Sequence, residues 1–115
     1  YPVVFSQIFT NLIMNALTHG LKGIAHGVVS ITVSYENEIL NISFKDSGRG
    51  IEESHLEKIF EPFFTTNRQN GGSGLGLHIV YNLVTQKLKG TIICRSKVGD
   101  GAEFIITAPV KRILI

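Results

Sequence analysis

The sequence predicts a two-layer α/β sandwich, and three observations carry that prediction. Two long segments, residues 3–19 and 74–87, repeat their apolar residues with the period of a helix. Two pairs of segments, 29–35 with 40–44 and 92–98 with 102–108, alternate as strands do around tight turns. The order is helix, strand, strand, short helix, polar lid, helix, strand, strand, which gives an antiparallel-rich sheet of at least four strands covered by helices. At 115 residues and 43% hydrophobic content the chain can bury one adequate core, so residues 1–110 form one domain and 111–115 a tail without a readable signal. A net charge of +2 with no dense basic run argues against nucleic acid as a partner. A single cysteine, Cys94, excludes an internal disulfide and fits a reducing compartment. No apolar run reaches the length of a membrane span and no signal peptide opens the chain, so no membrane contact is expected. The start at Tyr1-Pro2 reads as a fragment of something larger.

Pro2 suits a first helical turn, and Gly20 suits the end of the first helix. Val4, Phe5, Ile8, Phe9, Leu12, Ile13, Ala16 and Leu17 cover much of its circumference, which predicts that it is largely buried. Asn11 and Asn15 are four residues apart, hence about 40° apart around the axis and about 6 Å along it, on one face. Two readings stay open for them: amides bonded to neighbouring backbone, or two oxygen ligands facing a metal–phosphate group. Residues 20–27 are a glycine-rich connector. Val29, Ile31, Val33 and Tyr35 alternate with polar residues, as in a half-buried strand, and Glu36-Asn37-Glu38 turns the chain back.

On the returning strand Leu40, Ile42 and Phe44 share a face, and the alternation places Asp46 on that apolar face too. A carboxylate there is costly unless something bonds to it, and the Ser47-Gly48-Arg49-Gly50-Ile51 turn beside it permits close approach of a ligand. Ser54-His55-Leu56-Glu57 reads as a capping box opening a short helix that stops before Pro62. Phe60-Glu61-Pro62-Phe63-Phe64 is an aromatic anchor, and the polar stretch after it, residues 65–73, is expected to be mobile. Gly71-Gly72-Ser73-Gly74-Leu75-Gly76-Leu77 then opens the second long helix, which ends near Gly90. Side-chain-free backbone at a helix start can present N–H donors to an anion, so the stretch is a candidate phosphate site; a plain flexible loop is the alternative. No Lys-Ser/Thr follows the glycines and no strand runs into them, which rejects the P-loop and the dinucleotide fingerprint. His78 reads as a packing residue rather than a ligand contact. Ile92, Cys94, Ser96 and Val98 share one face of the next strand, Gly99-Asp100-Gly101 turns, and Ala102, Phe104, Ile106 and Ala108 line the inner face of the last.

Four of these elements in this order resemble the boxes of the GHKL ATP-binding superfamily. Asn11-Leu12-Ile13-Met14-Asn15-Ala16 is similar to its N box and Asp46-Ser47-Gly48-Arg49-Gly50-Ile51 to its G1 box. Phe60 to Phe64 resembles the F box, and Gly72 to Leu77 the G2 box. The combination is that of sensor histidine kinases of two-component signalling, and it covers residues 7–109. The resemblance implies the Bergerat fold, a mixed, mostly antiparallel sheet with helices on one face, and it implies ATP and Mg²⁺ as cofactors. Asp46 would accept the adenine amino group, with Gly48, Gly50 and Ile51 closing over the base. Asn15 would hold the magnesium ion, with Asn11 beside it and His19 bordering the phosphates. Thr65, Thr66, Gly72, Ser73, Gly74, Leu75, Gly76 and Leu77 would surround the phosphate chain, and Arg68 would steady the γ-phosphate. Catalysis would fall to Asn11, Asn15 and Arg68.

The implied activity is transfer of the ATP γ-phosphoryl group to a histidine on a separate helical dimerisation domain of the same protein, with a response regulator receiver domain downstream. Such a domain is cytoplasmic; whether its parent is anchored in the inner membrane stays open. The chain departs from the family pattern in three places. None of His19, His26, His55 or His78 has the surroundings of a phosphoacceptor, Thr18 stands where many relatives place Lys, and Ala102 where Thr is common. Two rivals stand beside the kinase reading: an ATPase clamp of the gyrase, mismatch-repair or chaperone type, and a nucleotide-sensing module without kinase activity. Asn11 stands where those ATPases carry a general-base Glu.

Overall fold

The computed structural model describes residues 2–21, 23–24, 26–64 and 75–111. Helix α1 (Pro2–Asn15) runs on through a wider π-type turn, Ala16–Gly20. Strands β1 (Val29–Glu36) and β2 (Ile39–Asp46) form a hairpin, followed by a single 3-10 turn at Glu53–His55. Helix α2 (Gly76–Asn82) also widens in its last turn, Leu83–Lys87, before the second hairpin, β3 (Thr91–Ser96) and β4 (Ala102–Pro109). The strands stand in the order β1-β2-β4-β3, and all three pairings are antiparallel. Among the described residues no helix is long and apolar enough to cross a membrane.

The two hairpins meet through β2 and β4, which places Phe44 opposite Phe104 and Ile42 opposite Ile106 at the centre of the sheet. Those four side chains, with Ile92 and Ala108, face Ile8, Leu12 and Ala16 of the first helix and Val80, Val84 and Leu88 of the second. This is the two-layer sandwich read from the alternation, with both helical segments on one side of the sheet. The β1–β2 turn puts Asn37 and Glu38 at φ 53° and 61°, the two left-handed positions of a two-residue hairpin whose twist matches its strands.

The structure corrects four expectations. The first helix is buried along one stripe only: Ile13, Met14 and Leu17 are exposed, since the sheet and α2 cover one side of it and solvent the other. Strand β1 is exposed at every position, not half-buried, because it lies at the sheet edge away from both helical segments, and the core lies over the other three strands. Ser54 does not cap a helix; it lies inside the 3-10 turn, where Glu52 takes the cap position without a side-chain bond. Val98 does not continue the inner face of β3, which stops at Ser96, and it sits exposed in the turn.

Candidate functional site

Where α1 ends, β2 ends and the 3-10 turn begins, the described residues enclose a cavity of about 360 Å³, within the range of small-molecule sites. Asn15, His19 and Gly20 line it from the first helix, Asp46, Arg49, Gly50 and Ile51 from the end of β2. His55, Ile59 and Phe64 close one side, and Leu77, Val98 and Ala102 another. Glu52 completes the lining, so the walls combine apolar surface with convergent polar groups, the pattern of a small-molecule site.

Asp46 is the one buried charged residue among those described, 2% exposed. Alternation along β2 puts it there: it follows Ile42 and Phe44 on the inner face. Its Oδ1 accepts the Gly48 N–H at 2.8 Å, which folds the chain back over the carboxylate. A Cβ on Gly48 would collide with the Gly20 carbonyl, so only glycine lets the turn lie against the helix end. Gly50, at φ 79°, takes the chain on towards Ile51. Ser96 then fastens the far side of the turn: its Oγ accepts from Ile51 N–H at 2.7 Å and donates to the Gly101 carbonyl at 2.6 Å.

The charge of Asp46 reaches across the sheet. Burial, with the neighbouring Asp46 carboxylate adding to it, pushes the Cys94 thiol from 9.0 up to about 12. Only the thiolate is nucleophilic, so Cys94 should be alkylated slowly at pH 8 in the folded protein and at an ordinary rate in urea, followed by mass spectrometry. The folded state holds that proton more tightly than the unfolded chain does. The corresponding stability is therefore complete below about pH 9 and is lost as pH rises towards 12.

Most of the residues singled out from the sequence and described in the structure converge on this cavity. Asn15, His19, Asp46, Gly50, Ile51 and Leu77 line it, and Gly48 lies directly behind Asp46. Asn11 does not line it. Its amide nitrogen donates to the Gly76 carbonyl at 3.4 Å and so ties α1 to the start of α2. Leu75 and Gly76 stand at that helix start, outside the lining. Thr65, Thr66, Arg68, Gly72, Ser73 and Gly74 lie outside the described residues, as does the expected mobility of that stretch. His78 is away from the cavity, with Nδ1 3.1 Å from the Phe60 carbonyl and Nε2 3.2 Å from the Asn82 amide nitrogen.

Sequence reasoning missed Ser96, Arg49 and His55 as parts of the site. Ser96 carried a usable signal, a polar residue on the apolar face of its strand, as Asp46 did. His55 carried none: its ring meets Phe64 edge-on at 5.4 Å, a contact set by the path of the loop.

The sequence profile described as "Histidine kinase-, DNA gyrase B-, and HSP90-like ATPase" matches residues 2–112. The sensor histidine kinase ZraS of Escherichia coli O157:H7 is 43% identical over 110 residues, a match that covers 95% of this chain and 22% of that protein. In general the chain spans less than a quarter of the length of the curated relatives it matches. Among solved structures, the nucleotide-free catalytic domain of histidine kinase ThkA superposes with a TM-score of 0.78 at 32% identity, covering 95% of this chain and 69% of that one. Full-length ShkA in complex with AMPPNP gives 0.81 at 30% identity over 97% of this chain and 22% of that one. The chain therefore belongs to the histidine kinase-, DNA gyrase B- and HSP90-like ATPase family, as an ATP-binding catalytic domain of the histidine kinase type.

Proposed function

We propose that this domain holds Mg-ATP in the Asp46–Asn15 cavity and presents its γ-phosphoryl group to a histidine on a separate helical domain of the same protein. The observation that carries the reading is Asp46, a buried carboxylate in the wall of a partly apolar cavity. Its oxygens are acceptors, which suits the amino group of adenine and opposes the carbonyl of guanine. Asn15, on the helix face across the cavity, is the amide oxygen that would hold magnesium. Among the described residues no three His, Cys, Asp or Glu side chains cluster as a cation cage. Magnesium typically takes one or two protein oxygens, with phosphates and water completing its shell. Magnesium, when bound, would offset the charge of the phosphates.

On the resemblance, the backbone of Gly72, Gly74, Leu75 and Gly76 and the side chain of Arg68 would complete the phosphate site. The same reading puts the domain in the cytoplasm and a response regulator receiver domain downstream. Calorimetry with ATP, ADP and GTP, each with and without Mg²⁺, tests the assignment. ATP and ADP should bind in a magnesium-dependent way, and GTP about 100-fold more weakly, as expected where a polar contact is replaced by a repulsive one. Equal affinity for GTP would contradict it.

A further inference from the structure

The last carbonyls of a helix have no partners within it and carry the negative end of its dipole. In this chain Arg49, from the turn after β2, meets them. Arg49 donates its own backbone N–H to the Gly20 carbonyl at 2.7 Å. Its guanidinium donates to the His19 carbonyl, from Nη2 at 3.0 Å and from Nε at 3.4 Å. The helix end and the 46–51 turn also touch closely, Gly48 against the Gly20 backbone and the Asp46 carboxylate against Gly20. A Cβ on Gly20 would stand 2.9 Å from Asp46 Oδ1, and one on Gly48 would strike the Gly20 carbonyl. Arg49 is fixed from behind as well, since its carbonyl accepts from Gly99 N–H at 2.7 Å.

Two halves of the cavity meet at this clasp. Asn15 and His19 come from the helix, Asp46 and Ile51 from the turn. We propose that Arg49 is a positioning residue that couples them: by clamping the end of α1 to the turn, it sets the amide of Asn15 at the right place relative to a base held by Asp46. The inference rests on the Mg-ATP reading and adds a residue and a role to it. Arg49 acts here through the helix end and not by contact with phosphate.

The experiment compares adenosine, ATP with EDTA and ATP with Mg²⁺ by calorimetry in the wild-type domain, Arg49→Ala and Arg49→Lys. Amide exchange at residues 17–20 is followed in the same samples. Arg49→Ala should lose about three- to tenfold of the magnesium-dependent gain for ATP, measured as the ratio of its affinities with Mg²⁺ and with EDTA. Its helix-end amides should exchange faster, and Arg49→Lys, which keeps one charged donor, should recover most of both effects. An unchanged magnesium-dependent gain overturns the proposal. So does an equal loss of ATP affinity in EDTA with the helix end still protected, because that is the mark of a direct phosphate contact. Should Arg49→Ala not fold, Arg49→Gln, with one neutral donor, carries the same comparison. Wild-type protein that binds no ATP would overturn the underlying reading and this inference with it.

Discussion

Asp46→Ala is expected to abolish most ATP binding. The carboxylate is 2% exposed, so the variant removes an acceptor from a place water hardly reaches. A hydrogen bond to a charged group is worth about 1.5–3 kcal/mol, which corresponds to roughly 10- to 150-fold in affinity. The variant also strips the Gly48 N–H of its acceptor, which loosens the turn that packs on the helix end. Asp46→Asn separates the two effects. It can still accept the Gly48 N–H, and it should keep the melting temperature closer to wild type while its NH₂ group opposes the adenine amino group. Calorimetry and thermal melts on both variants check this. ATP affinity within a few-fold of wild type in either one would remove Asp46 from the site.

The second large effect is expected at Asn15. It lines the cavity from the first helix, and its substitution by alanine removes the proposed magnesium oxygen while leaving Asp46 in place. Adenosine should therefore bind Asn15→Ala as it binds wild type, whereas phosphoryl transfer should be lost. Removing one preorganised group that stabilises transition-state charge costs about 10²–10³-fold in rate, below detection for a slow kinase. Transfer of label from γ-labelled ATP to an acceptor-histidine domain measures it. Transfer by Asn15→Ala at the wild-type rate would contradict the metal assignment.

The parts of the fold governed by local alternation are legible in the sequence alone. The inner faces of β2 and β4, including a carboxylate at the end of the first, follow from a period of two and nothing else. The exposure of β1 is not legible there, because its own pattern is that of a half-buried strand. What decides its burial is that the helical segments cover the β2, β4 and β3 side of the sheet and leave this edge bare, a property of the packing rather than of the segment. The capping-box reading at Ser54 fails for a related reason. A local signal for a helix start is met by a three-residue 3-10 turn and a run of separate hydrogen-bonded turns up to Phe60, with no regular helix. Within the site, Asp46, Asn15 and His19 can be found because each is a polar residue on an apolar or shared face. Arg49 and His55 cannot, since their places depend on a contact between chain segments far apart in sequence.

The central claim is that the domain delivers a phosphoryl group to a histidine it does not itself carry, and holds ATP intact until then. Water attack on the γ-phosphate needs a positioned base, and general-base help is typically worth about 10²–10⁴-fold. Asn11, whose amide donates to the Gly76 carbonyl, cannot take a proton at neutral pH. The most direct test incubates this domain with γ-labelled ATP and Mg²⁺, alone and with the cognate acceptor-histidine domain. Alone, the domain should release negligible phosphate and acquire no label; with the partner, label should pass to the partner's histidine. Brisk steady-state release of phosphate by the domain alone would contradict this account and favour an ATPase.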